Sequence, residues 1–82
     1  MVYAIVKNSA ETLADIDRFE RNFLGPWGFQ IINQQEEKDS NSIQLTINTK
    51  NRVEDDLAQI LVRRYFTDRV VGFQLSTDRN SN

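Results

Sequence analysis

The sequence contains two stretches that match each other in order and spacing, and this internal repeat limits the possible folds more than any other feature. KNSAE at residues 7–11 is matched by KNRVE at residues 50–54, and GFQI at 28–31 is matched by GFQL at 72–75. The offsets are 43 and 44 residues. Two copies of one unit, each a strand, a capped helix and a second strand, are therefore predicted.

The first copy begins with an apolar run at residues 2–6 that lacks alternation, as expected of a central strand covered on both faces. Asn8 is predicted to cap the first helix, with Glu11 at the third helical position. Gly25 and Pro26 are predicted to end this helix. Its predicted core stripe consists of Leu13, Ile16, Phe19 and Phe23.

The rest of the chain predicts three more strands and one more helix. Strands are expected near residues 28–34, 43–48 and 70–77, with residues 35–41 as a polar hairpin loop. Asn51 is predicted to cap the second helix, with Glu54 at its third position. The predicted inward residues are Val53, Leu57, Ile60 and Leu61 on this helix, and Val71, Phe73 and Leu75 on the last strand.

Two consecutive strand–helix–strand units with right-handed crossovers predict a ferredoxin-like βαββαβ sandwich of the α+β class. Its four-stranded antiparallel sheet has the order 4-1-3-2, with both helices on one face. The chain is expected to form a single domain over residues 1–78, with residues 79–82 as a flexible tail.

Because the helices cover one face of this sheet, the other face is open, and strand alternation predicts which residues lie there. It is neutral, with Tyr3, Ile5 and Ile32 forming an apolar centre inside an amide rim. An apolar centre with an uncharged polar surround is typical of a protein interface, and an ordinary solvated sheet face is the alternative. The predicted open face consists of Tyr3, Ile5, Gln30, Ile32, Gln44, Thr46, Asn48, Gln74 and Ser76.

The composition argues against most enzyme chemistry. The chain has no cysteine and no histidine, so it lacks thiolate nucleophiles, imidazole bases and the usual zinc ligands. We expect no enzymatic activity, no cofactor and no metal site. The apolar run at residues 2–6 is too short for a signal peptide or a membrane span, which favours a cytoplasmic protein. With a net charge of −2, nucleic acid is an unlikely partner.

At the level of the fold, the predicted arrangement resembles two families, the ACT domains and the acylphosphatases, and it shares its open face with a third kind of module. RNA-recognition modules use the same open face, but they stack bases on several aromatic residues, and here only Tyr3 is aromatic. Regulatory ACT domains are similar in length and element order, and residues 13–16 (LADI) look like their first helix. The glycine that these domains have near the helix entrance is missing. Acylphosphatases share the topology, but residues 6–10 (VKNSA) lack the glycine and arginine of their first loop.

The sequence therefore predicts a small non-enzymatic interaction or regulatory module. Self-association as a dimer is expected, through the open sheet face or through the edge formed by the second strand, and another protein is a further possible partner. An ACT-like domain that senses a small ligand is the first alternative, and a nucleic-acid binder that resembles the RNA-recognition modules is the second.

Overall fold

The computed structural model describes residues 1–75 and has four strands and two helices. The predicted outward residue Ser76 and the predicted tail at residues 79–82 lie outside the described part of the chain. In chain order the elements are β1 (Val2–Lys7), α1 (Ala10–Phe19), β2 (Gln30–Glu37), β3 (Ser42–Asn48), α2 (Arg52–Phe66) and β4 (Val70–Leu75).

All four strands form one antiparallel sheet in the order β2-β3-β1-β4, which confirms the predicted ferredoxin-like βαββαβ fold. The inward side chains of β1 and β3 are fully buried, and both helices contribute to the same core, so both helices cover one face of the sheet. The fully buried core residues of the two central strands are Val2, Ala4, Val6, Ile43, Leu45 and Ile47. Within residues 1–75, no helix is long and apolar enough to cross a membrane.

Four aromatic rings join the two helices. Phe19 of α1 packs edge-on against Phe66 of α2, with 5.0 Å between ring centroids. Phe23 and Tyr65 extend this contact at 4.9 Å. Offset and edge-to-face pairs of this kind add stability beyond the area that they bury. The aromatic cluster therefore fixes the end of α2 against Phe19, the last residue of α1, and against Phe23, which lies in the turn that follows α1.

The start of α1 differs by one residue from the prediction. Ser9, and not Asn8, is the N-cap, since its hydroxyl oxygen accepts a hydrogen bond from the backbone N–H of Thr12 at 3.1 Å. Asn8 instead donates its backbone N–H to the carbonyl oxygen of Asn41 at 3.0 Å. Thr12 is buried, whereas Leu13, which the predicted core stripe included, is largely exposed.

The helical segment continues beyond α1 as one π-helical turn over residues 20–24 and a 3-10 turn over Gly25–Trp27. Pro26 cannot donate a hydrogen bond, so the helix ends here, as predicted. Gly28 follows with a φ of 80°, a left-handed conformation that glycine adopts without steric cost. Glu20, which caps the C-terminal end of α1 and begins this π-helical turn, lies next to β2, where its carboxylate accepts the N–H of Ile31 at 2.8 Å.

The predicted cap of α2 is confirmed, but its predicted core stripe is wrong in part. The Asn51 side chain accepts the N–H of Glu54 at 2.9 Å. Val53 and Ile60 are 75% and 52% exposed. Leu57 and Leu61 are half-buried and only flank the core. The face that packs on the sheet consists of Ala58, Val62 and Phe66, which are all fully buried.

Each edge strand carries a β-bulge, which strict alternation did not predict. In β2 the pairing passes from Ile31 opposite Ile47 to Asn33 opposite Thr46, so Ile32 is an extra residue. β2 also continues to Glu37, three residues beyond the predicted end.

The second bulge lies in β4 and corrects the prediction that Val71 points inward. The pairing passes from Val70 opposite Val6 to Gly72 opposite Ile5, so Val71 is the extra residue and is 59% exposed. Val70 takes the inward place and packs against the core.

The two bulges occupy corresponding places in the two halves of the fold, because each lies in the edge strand beside the end of a helical segment. Their extra residues are Ile32 and Val71. The GFQ match in the sequence does not follow this correspondence: Gly28 lies in a turn before β2, while Gly72 lies inside β4. The repeat thus predicts the order of elements but not the residues that correspond.

Candidate functional site: the open sheet face

The centre of the open sheet face is formed by two side chains of β1, each flanked by a neighbour on both sides. Tyr3 lies between Thr46 of β3 and Gln74 of β4. Ile5 lies one row further, between Gln44 and Gly72. Both helices pack on the opposite face, so among the described residues only neighbouring strands shield these side chains.

Burial on this face falls from the central strands to the edges. Thr46 is only 6% exposed, although no helix covers it. Tyr3, Ile5 and Gln44 are half-buried, whereas Gln30 and Gln74 are exposed. Side chains of intermediate burial on an uncovered surface keep apolar area that a partner can bury.

The bulge in β2 corrects one predicted member of the face. Since Ile32 is the extra residue, Asn33 takes the place beside Thr46, and Gln35 takes the place beside Gln44. Ile32 instead lines a groove together with residues of α1. Of the predicted interface residues, Tyr3, Ile5, Gln30, Gln44, Thr46 and Gln74 share the open face, and Ile32 is apart from them.

With Asn33 in the place predicted for Ile32, amides surround the centre of the open face more completely than the sequence predicted, and two charged positions lie at one end. Amide side chains surround Tyr3 and Ile5, and the only charged positions that the pairing adds are Lys7 and Glu37, in a row with Ser42 at one end. Amides both donate and accept hydrogen bonds, but they do not transfer protons at neutral pH. The amides of the face are Gln30, Asn33, Gln35, Gln44, Asn48 and Gln74.

Gly72 leaves an opening in this surface. A Cβ atom built on it would meet no heavy atom within 4 Å, and the residue pairs directly with Ile5. One flank of the Ile5 side chain is therefore uncovered, so the apolar centre is accessible to a group that enters from the β4 side.

Two of the acidic residues that lie together at the start of α2, Glu54 and Asp55, accept hydrogen bonds that stabilise the local structure. Glu54 accepts the backbone N–H of Lys50 at 2.7 Å. Asp55 accepts from the N-terminal ammonium group at 3.2 Å and from the hydroxyl of Thr49. Within the described part of the chain, no three acidic side chains converge as metal ligands would.

Two surfaces were missed by the sequence reasoning. One is a groove of about 380 Å³ between α1 and β2, hereafter the α1–β2 groove. This groove was missed because it depends on the bulge in β2, and the alternation of apolar and polar residues does not indicate that bulge. The other is the outer side of α2, where Val53 and Ile60 are exposed. It was missed because the sequence analysis assigned both residues to the core.

Comparisons with known proteins found no match to this chain among protein-family models, curated proteins or solved structures.

Proposed function

We propose that this chain is a small, non-enzymatic protein-interaction module that associates with a second copy of itself through the open sheet face. One observation carries the proposal: the half-buried pair Tyr3 and Ile5 lies at the centre of the open face, and its neighbours on both sides are uncharged and mainly amides. Protein interfaces are depleted of charge at their centre, while charged residues collect at the rim. A cytoplasmic location is part of the same proposal.

The open face is favoured over extension of the sheet through β2. The bulge at Ile32 interrupts the regular ladder of that edge, and the carboxylate of Glu20 already accepts the N–H of Ile31. Bulges and covered edge groups are devices that prevent edge-to-edge pairing of sheets. The open face does not depend on free backbone groups at that edge, so neither the bulge nor the Glu20 contact hinders association through it.

The size of the face sets the expected strength of the association. Four strands about 4.8 Å apart and about six residues long, at about 3.3 Å per residue, give a face of roughly 400 Å². Stable interfaces bury about 800 Å² on each partner. We therefore expect a weak dimer that forms as the protein concentration rises through the micromolar range.

Sedimentation velocity over a concentration series, with three variants, tests the proposal. Ile5→Asp should keep the helical circular dichroism spectrum of the wild type and remain monomeric, because a charge at the centre of a desolvated interface is costly. Ile60→Asp is the matched control, since it places the same charge on an exposed apolar residue of α2. It should dimerise as the wild type does.

Tyr3→Ala provides a second test that adds no charge. It should raise the dissociation constant of the dimer by about tenfold or more, as truncation of a central aromatic does at other interfaces. A wild-type chain that stays monomeric at high micromolar concentration would overturn the proposal. Loss of the dimer in Ile60→Asp but not in Ile5→Asp would assign the interface to α2 instead.

A further inference from the structure

The α1–β2 groove is a second surface, distinct from the open sheet face, and it combines apolar and acidic groups. Leu13 and Ile16 of α1 line one side, and Ile31 and Ile32 of β2 line the other. Leu13 and Ile32 are both exposed to solvent, at 43% and 51%. The bulge creates this opening, because it turns Ile32 out of the ladder next to the helix.

Both charged residues that line the groove are acidic. Asp17 is exposed and pairs with Arg21 at 3.0 Å, so its charge is already balanced in part. Glu20 is half-buried, and one of its oxygens accepts the N–H of Ile31 at 2.8 Å. Within residues 1–75, no basic side chain lies within ion-pairing distance of Glu20. The Ile31 contact thus holds a negative charge in place beside an apolar cleft.

We propose that the α1–β2 groove binds a segment of a partner protein in which an apolar side chain lies next to a lysine or arginine. The apolar side chain would enter between Leu13 and Ile32, and the cation would pair with Glu20. The volume of about 380 Å³ lies at the low end for sites that enclose small molecules, so one or two side chains fit it better than a whole ligand. Charge complementarity favours a basic segment over an acidic one.

Fluorescence anisotropy with short labelled peptides tests this proposal on the full chain. In the probe peptide lysine and leucine alternate; in one control glutamate replaces lysine, and in the other serine replaces leucine. We expect saturable binding of the lysine–leucine peptide and at least tenfold weaker binding of both controls. Equal binding of the lysine–serine peptide would show attraction to the net negative chain alone and would overturn the proposal.

Two substitutions separate the charge from the apolar surface. Glu20→Gln keeps an acceptor for the N–H of Ile31 but removes the charge, and it should weaken peptide binding about tenfold. Ile32→Ser should weaken it to a similar extent by removing apolar contact. Asp56→Asn, which removes an exposed acid of α2, is the control and should bind as the wild type does. Unchanged binding in both Glu20→Gln and Ile32→Ser would overturn the proposal.

The same measurement on Ile5→Asp separates this surface from the open sheet face. The variant should bind the lysine–leucine peptide with wild-type affinity, whether or not the wild-type chain dimerises. Loss of peptide binding in Ile5→Asp, with retention in Ile32→Ser, would place the peptide on the open face instead of in the groove.

Discussion

The central strands and the edge strands of this sheet follow different rules. β1 and β3 have a pairing partner on both sides, and their side chains alternate between core and open face without interruption. β2 and β4 pair on one side only, and each contains a bulge, at Ile32 and at Val71. A second partner fixes the register of a strand, whereas a free side allows an extra residue to be accommodated.

This difference divides the surfaces of the molecule. The open face depends on the regular alternation of β1 and β3, which bring Tyr3, Ile5 and Thr46 together. The α1–β2 groove depends on a break in alternation, which turns Ile32 toward the helix. Regular pairing thus builds the open face, and irregular pairing builds the groove.

The largest expected effect tests the faces of a central strand. Leu45→Asp places a charge in the fully buried core of β3 and should unfold the domain, since the cost rivals the whole stability of a small domain. Ile5→Asp, on the open face of β1, should leave the chain folded. Circular dichroism with urea unfolding measures both variants. An unfolded Ile5→Asp variant would reverse the assignment of the faces.

The next effect tests the bulge in β4 through two adjacent valines. Val70→Ser should lower the free energy of unfolding by about 2 kcal/mol, because Val70 packs against the core. Val71→Ser should change it by only about 0.5 kcal/mol, because the extra residue is exposed. Chemical denaturation gives both values. Equal losses, or a larger loss at Val71, would contradict the observed register.

The smallest effect compares an edge position with a central one. Gly72→Ala should stabilise the domain by about 0.5 kcal/mol, since the new methyl group meets no neighbour and restricts the unfolded chain. The reverse change in β1, Ala4→Gly, should destabilise it by about 1 kcal/mol or more, because Ala4 is fully buried. Thermal unfolding of both variants checks the sign. A destabilising Gly72→Ala would show that β4 lacks the observed opening.

The sequence predicted the strand and helix order, the strand order in the sheet and the two faces of β1 and β3. Alternation and helical periodicity are physical consequences of burial, so they predict strands, helices and their buried faces wherever packing is regular. The cap of α1 was misplaced because Asn8 and Ser9 are adjacent and both are good capping residues. The buried face of α2 was misplaced because its apolar residues cover a wide arc, and small Ala58 is less conspicuous than Ile60.

The candidate surfaces were predictable to different extents. The centre of the open face was found, since it needed only the alternation of β1 and β3. The place of Ile32 was not, because a bulge depends on how the backbone of an edge strand adapts to the helix beside it. Glu20 contacts that strand from the C-terminal end of α1, where the π-helical turn begins, and no residue pattern in the sequence indicates that turn or that contact.

The central place of β1 has a consequence for the synthesis of the chain. Val2 pairs with Ile47 on one side and with Leu75 on the other, so β1 is synthesised before the other three strands and completes its pairing only after β4 has been made. Until then, the uncharged run at residues 2–6 carries unpaired backbone groups and has the composition of segments that aggregate. Only β2 and β3 form a local hairpin. Conditions that slow synthesis therefore lengthen the interval in which this first strand is exposed.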